Sequence, residues 1–164
     1  MKNKNKKNLG FTLIELLITV TITLILLGNA IAFFLDYLDQ RSVSDAVDEL
    51  KVYIQRAESA ASSGDLGGCD HLGGYRLSSV QVGNLTTISL QAECVAGTPD
   101  PAVTFELTDN VEISPDLDYL FKVLHGGVDI PGGLANQTIT ISNDNHSFAF
   151  TLYREGRFSA GDWL

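Results

Sequence analysis

Phe11-Thr12-Leu13-Ile14-Glu15-Leu16-Leu17-Ile18-Thr19-Val20-Thr21-Ile22-Thr23-Leu24-Ile25-Leu26-Leu27-Gly28-Asn29-Ala30-Ile31-Ala32-Phe33-Phe34-Leu35 is a run of 25 residues with one formal charge, Glu15. About 20 apolar residues in a helix cross the hydrocarbon core of a bilayer, so the run is long enough for one crossing. Lys2, Lys4, Lys6 and Lys7 stand just before it. Basic residues flanking a span stay on the cytoplasmic side, which puts the N-terminus inside and everything after Leu35 outside. A secretory signal peptide has an apolar region of about 7–15 residues and then a small-residue cleavage site. Here the run is longer, and neither an Ala-x-Ala site nor a lipobox cysteine follows it. A plain signal anchor accounts for the lysines and the apolar run but leaves the glutamate unexplained.

A carboxylate at membrane depth costs roughly 2.5–3.5 kcal/mol, and intramembrane charges usually have a partner and a function. No basic residue lies within helical reach of Glu15 inside the run. A cut after Gly10 would create a cation, the free amine of Phe11, about one helical turn before Glu15. On one reading Glu15 pairs with the Phe11 amine of a neighbouring copy and sets the register between packed helices, as buried polar groups do in coiled coils. On the other it lies near the cytoplasmic interface and reaches water. The residues alone leave both open.

Gly10-Phe11-Thr12-Leu13-Ile14-Glu15-Leu16-Leu17 behind a short lysine-rich leader resembles the prepilin signature of type IV pilins and type II secretion pseudopilins. The resemblance covers roughly the first third of the chain. It implies cleavage between Gly10 and Phe11 by a prepilin peptidase, N-methylation of Phe11, and an assembly role for Glu15. It also implies partners: other pilin-like subunits through the N-terminal helix, and an inner-membrane assembly machinery. The chain departs from many major pilins in having no proline in the membrane segment, where only Gly28 and Asn29 loosen the helix. The tip-most pseudopilins tend to lack the glutamate, so Glu15 argues against that role.

From Asp36 to Ser62 there is no proline or glycine, and Val43, Ala46, Val47, Leu50, Ile54, Ala57 and Ala61 recur at helical spacing. One helix is therefore expected to run on past the membrane and to lay that stripe on a globular head. Ser63-Gly64-Asp65-Leu66-Gly67-Gly68 ends it. Beyond, short β-type runs alternate with turn residues. Strands are predicted near Tyr75–Val82, Thr87–Cys94, Val103–Leu107, Val111–Ser114 and Tyr119–Leu124, followed by a hairpin from Thr138–Ser142 to Phe148–Tyr153. Gly126-Gly127 and Pro131-Gly132-Gly133 read as a long surface loop. The expected fold is α+β and pilin-like: a leader (1–10), a membrane and assembly helix (11–35), its amphipathic continuation (36–62), and a small antiparallel β-sheet head (63–164).

The whole chain carries −9. Without the four leader lysines, 7 basic residues face 20 acidic ones, a charge of −13. Neutralising phosphates needs clustered Lys and Arg, so this balance disfavours nucleic acid as a partner. Cys69 and Cys94 are an even pair in a segment expected outside the cytoplasm, which predicts a disulfide. Metal binding is the weaker reading of the two cysteines, since there is no CxxC and no Cys/His cluster. His71, His125 and His146 are isolated, and no G-x-S-x-G or phosphate-loop pattern occurs. Asp116 and Asp118 raise a calcium reading, but the EF-hand spacing is absent and a solvated loop accounts for them. Trp163 reads as a packing anchor or a contact with a neighbour. No cofactor and no catalysis are expected.

Within the head, Gln55-Arg56-Ala57-Glu58-Ser59-Ala60 and Glu155-Gly156-Arg157-Phe158-Ser159 resemble the helix and final turn of H-type minor pseudopilins and related minor pilins. Together these features predict a non-enzymatic filament subunit, first a minor subunit of a secretion pseudopilus and second a major pilin. A third possibility is a competence or adhesion pilin that binds DNA or a surface ligand through a patch at Arg76, Arg154 and Arg157. The expected location is the cytoplasmic membrane, single-pass with the head outside, and then a periplasmic or surface filament.

Overall fold

The computed structural model describes residues 12–107, 110–124 and 126–164. The chain divides into two units, Met1–Leu38 and Asp39–Leu164. A single helix, α1 (Leu13–Ser63, 51 residues), belongs to both.

In the second unit α1 buries Val43, Ala46, Val47, Leu50, Ile54, Ala57 and Ala61, the stripe that the spacing predicts. The helix stops because Gly64 takes φ +71, a left-handed conformation that glycine adopts without penalty. The Asp65 N–H then reaches back to the Ala60 carbonyl at 3.2 Å, the 6→1 bond of a Schellman end.

Among the described residues the remaining elements form two antiparallel sheets. β1 (Cys69–Val82) and β2 (Leu85–Gly97) make a long hairpin. Its two-residue loop has Gly83 first, at φ +65, as a type II′ turn requires. β3 (Val103–Glu106) pairs with β2, while β5 (Asp118–Lys122) and β6 (Val128–Asp129) extend the other side. The order is β3-β2-β1-β5-β6. The second sheet is β4-β7-β8-β9, from β4 (Glu112–Ser114), β7 (Asn136–Ser142), β8 (Ser147–Tyr153) and β9 (Asp162–Trp163). Alternate residues of both sheets point at the helix. Leu77, Ile88, Tyr119 and Phe121 come from the first sheet, and Ile139, Ile141, Phe150 and Leu152 from the second. On one flank of α1, Tyr53 stacks against Phe105 with ring centroids 4.3 Å apart. On the other, Lys51 Nζ lies 5.3, 5.4 and 5.8 Å from the rings of Phe148, Phe150 and Phe158.

The α+β class with antiparallel sheets is as expected, with two sheets where one was foreseen. β1 begins at Cys69, six residues before the expected strand start at Tyr75, because Cys69 and His71 already pair with Gly97 and Ala96. The expected loop over 126–133 is instead part of the core wall. Val128 and Ile130 are buried there, and Val128 pairs with Phe121. Only Pro131–Gly133 within it forms a 3-10 turn. The fifth expected strand ends at Lys122, short of Leu124, which turns away at φ +57 with its side chain exposed.

Candidate functional site

The candidate site is the start of α1. Gly10 and Phe11 lie outside the described residues. Thr12 precedes the helix, and its carbonyl accepts the first helical bond from the Leu16 N–H at 3.2 Å. Its Oγ1 accepts the Glu15 N–H at 3.3 Å. Thr12 is thus the N-cap and Glu15 the third residue of the helix, the Thr-x-x-Glu spacing of a capping box. Thr12 was not among the residues expected to matter, although its spacing to Glu15 ahead of an apolar run was the signal. The Glu15 side chain is exposed and stands in the first turn, where the positive end of the helix dipole favours a carboxylate.

From Thr12 to Leu35 every side chain is exposed; Phe33, for instance, is 76% accessible. Thr19, Thr21 and Thr23 turn their hydroxyls inward and donate to the carbonyls of Leu16, Leu17 and Thr19 at 2.9, 2.8 and 2.7 Å. Those bonds hide the polar hydrogens from an apolar surrounding. The helix runs unbroken through Gly28 and Asn29. It is long and apolar enough to cross a membrane.

Residues 5–28 match the family model of the prokaryotic N-terminal methylation motif. The match takes in lysines before the junction, Gly10, Phe11, Glu15 and the apolar run as far as Gly28. The methylation motif implies processing by a prepilin peptidase and pilin-like assembly. An exposed apolar helix near the N-terminus is what membrane anchoring of such a chain requires. Comparison with curated proteins and with solved structures gives no match.

The other singled-out residues lie in the head. Cys69 and Cys94 are joined in a disulfide, with Cα atoms 5.3 Å apart, tying the start of β1 to the end of β2. At the suspected basic patch, Arg157 lies 3.9 Å from Glu155. Arg76 holds Glu93 at 2.6 Å and Asp118 at 2.5 Å, and these bonds raise its pKa further above the usual guanidinium range. Asp118 is therefore engaged by Arg76, while Asp116 is exposed in the preceding turn. Among the described residues no three His, Cys, Asp or Glu side chains converge to hold a metal. His71 is exposed in β1, and His125 lies outside the described residues. His146 and Phe148 both meet the edge of Trp163, at 6.3 and 5.2 Å between centroids.

The two segments that resemble minor pseudopilins touch each other. Gly156 is buried at φ +87, and a Cβ there would lie 3.1 Å from the carboxylate of Glu58.

Proposed function

We propose that this chain is a structural, non-enzymatic subunit of a type IV pilus-like or type II secretion pseudopilus filament. Prepilin peptidase cuts between Gly10 and Phe11 and methylates the Phe11 amine. The apolar half of α1 holds the subunit in the cytoplasmic membrane with the head outside, and then packs against other pilin-like subunits. The inner-membrane assembly machinery draws it from the bilayer into the filament. The observation that carries this reading is the methylation motif over residues 5–28, which runs into a helix long and apolar enough to cross a membrane whose apolar run holds one charge, in its first turn. A lone carboxylate at that position gains most from a cation on a neighbouring helix.

Within that class the reading is a minor subunit of a secretion pseudopilus, of H-type. The contact between Gly156 and Glu58 supports it, because it joins the two segments that carry the resemblance. The disulfide supports it too, since Cys69 and Cys94 lie early in the head, whereas major pilins typically close a loop near the C-terminus. Engagement of Arg76 by two carboxylates weakens the DNA-capture alternative. Quantitative mass spectrometry of sheared filaments tests copy number. Trace amounts among other pilins are expected, and dominance of this chain would make it the major pilin.

A further inference from the structure

Within the head, a cleft of about 200 Å³ lies between α1, the loop that follows it, β2 and the β2–β3 connection. Its lining is of two kinds. Tyr75 and Leu90 are buried and, with the exposed Val103, give it an apolar side. Arg56, Asp65 and Asp100 are exposed and bring charge to the same space. Backbone bonds hold this shape. The Asp65 carboxylate accepts the Gly67 N–H at 3.2 Å, and the Asp65 carbonyl accepts the Tyr75 hydroxyl at 3.2 Å. The Asp100 N–H donates to the Gly67 carbonyl at 2.8 Å, and the Asp100 carbonyl accepts from Gln91 Nε2 at 3.2 Å. Gly67 has no room for a side chain, since a Cβ there would lie 2.6 Å from the Ala92 Cβ and 2.7 Å from the Tyr75 hydroxyl oxygen. The main chain at both aspartates is therefore set before any partner arrives.

Among the described residues neither of these carboxylates is in an ion pair, although Arg56 lines the same cleft. At the Tyr75 phenol the two carboxylates outweigh that arginine. Burial raises its pKa above the usual value, Asp65 and Asp100 raise it further, and Arg56 lowers it by less. The field in the cleft is thus net negative and suits a cation. Size narrows the choice. A cavity of about 150 Å³ takes up one benzene, whereas pockets for drug-sized ligands run to roughly 300–1,000 Å³. The cleft has room for one long side chain. Arginine fits both kinds of lining, because its methylenes cover apolar surface while its weakly hydrated guanidinium forks onto carboxylates. We propose that this cleft is a socket for an arginine side chain of another protein, with its methylenes on Leu90 and Val103 and its guanidinium on the carboxylates of Asp65 and Asp100. A free arginine brings a carboxylate of its own, which the two aspartates repel. The socket needs neither cleavage at Gly10 nor filament assembly, so its failure would leave the proposed function standing.

The test is an NMR titration of the full chain in zwitterionic detergent at low salt, with N-acetyl-L-arginine methylamide as the probe. Saturable shifts are expected at the Tyr75 ring and at the methyls of Leu90 and Val103. The uncharged norleucine analogue should give none, and free arginine should bind more weakly. Asp65→Asn keeps an oxygen for the Gly67 N–H, and it and Asp100→Asn should each weaken the probe by up to about fivefold, the range of an exposed ion pair. Arg56→Gln removes a like charge and should tighten binding, and added salt should loosen it. Spectra unchanged away from the cleft show that each variant is folded. Absence of the shifts, or affinity unchanged in both asparagine variants, overturns the proposal. Equal shifts from the norleucine analogue overturn it in favour of a plain apolar crevice. Weaker binding in Arg56→Gln overturns it because the cleft would then act through its own arginine. Tighter binding of free arginine overturns it in favour of a small-molecule site.

Discussion

The Glu15 N–H donates to the hydroxyl of Thr12 at 3.3 Å, so the residue that carries the carboxylate also helps to close the first turn of α1. The two roles are separable by mutation. Thr12→Ala removes the cap and should cost about 0.5–2 kcal/mol of local helix stability, while Thr12→Ser retains it. Hydrogen exchange at the amides of Leu13–Leu16 in detergent should speed up in the alanine variant alone. Glu15→Ala should be cut between Gly10 and Phe11 as usual, yet appear in sheared filaments at a small fraction of the wild-type level. Wild-type incorporation of that variant would sink the idea that Glu15 pairs between subunits.

Gly156 and Glu58 offer a test inside the head. Gly156→Ala places a Cβ against the Glu58 carboxylate at a φ of +87, and the two strains together should cost on the order of 1–3 kcal/mol. Adding Glu58→Ala should restore the part due to the close contact and leave the part due to backbone strain. Thermal melts of the single and double variants separate the two. An unchanged melting temperature for Gly156→Ala would mean that this turn does not pack against α1.

Tyr119 is fully buried, and its hydroxyl makes no hydrogen bond among the described residues. Burial pushes its pKa up from 10.0 to about 12. The phenol is neutral in the folded head until well after it ionises in the unfolded chain. Its contribution is thus fully present below pH 10 and is lost as pH rises toward 12, by an amount on the order of 2 kcal/mol. Tyr119→Phe should leave stability at pH 7 unchanged or raise it by up to about 1 kcal/mol, since an unpaired buried hydroxyl is costly. It should also flatten the decline between pH 10 and pH 12 measured by chemical unfolding.

The disulfide closes a separation of 25 residues, for which chain entropy predicts roughly 3–4 kcal/mol. Cys69→Ser with Cys94→Ser should lower head stability by about that much in denaturant titrations. Exchange protection should fall first at Cys69–Gly74, where the β1–β2 register is already irregular. Stability unchanged by the double substitution would show that the reduced hairpin is held by its pairing alone.

The helix was the most legible element because one stripe of seven apolar positions, Val43 to Ala61, does one job, and the buried set is that stripe. The β7–β8 hairpin was legible for a similar reason: Phe150 and Leu152 are buried while Thr151 and Tyr153 are more exposed. Segments governed by tertiary contacts were harder to read. Val128 and Ile130 sit among four glycines and Pro131, which signal a loop, and their burial is decided by the pairing of Val128 with Phe121 and by the core beyond. The first residues of β1 have weak strand propensity, and they are held there by β2 and the disulfide. The division into two sheets depends on which strands find partners far along the chain, and no local pattern encodes that. At the candidate site Glu15 stood out by its charge. Thr12 did not, because a hydroxyl in an apolar run is unremarkable until its spacing to Glu15 is noticed.

The most direct test of the filament-subunit account is mass spectrometry of the chain's N-terminal peptide, taken from sheared surface material and from the membrane fraction. The account predicts a peptide that begins at Phe11 and carries one methyl group on its amine, present in the sheared material. A peptide that still carries Lys2 to Gly10, found only in the membrane fraction, would contradict it and make the helix a plain signal anchor.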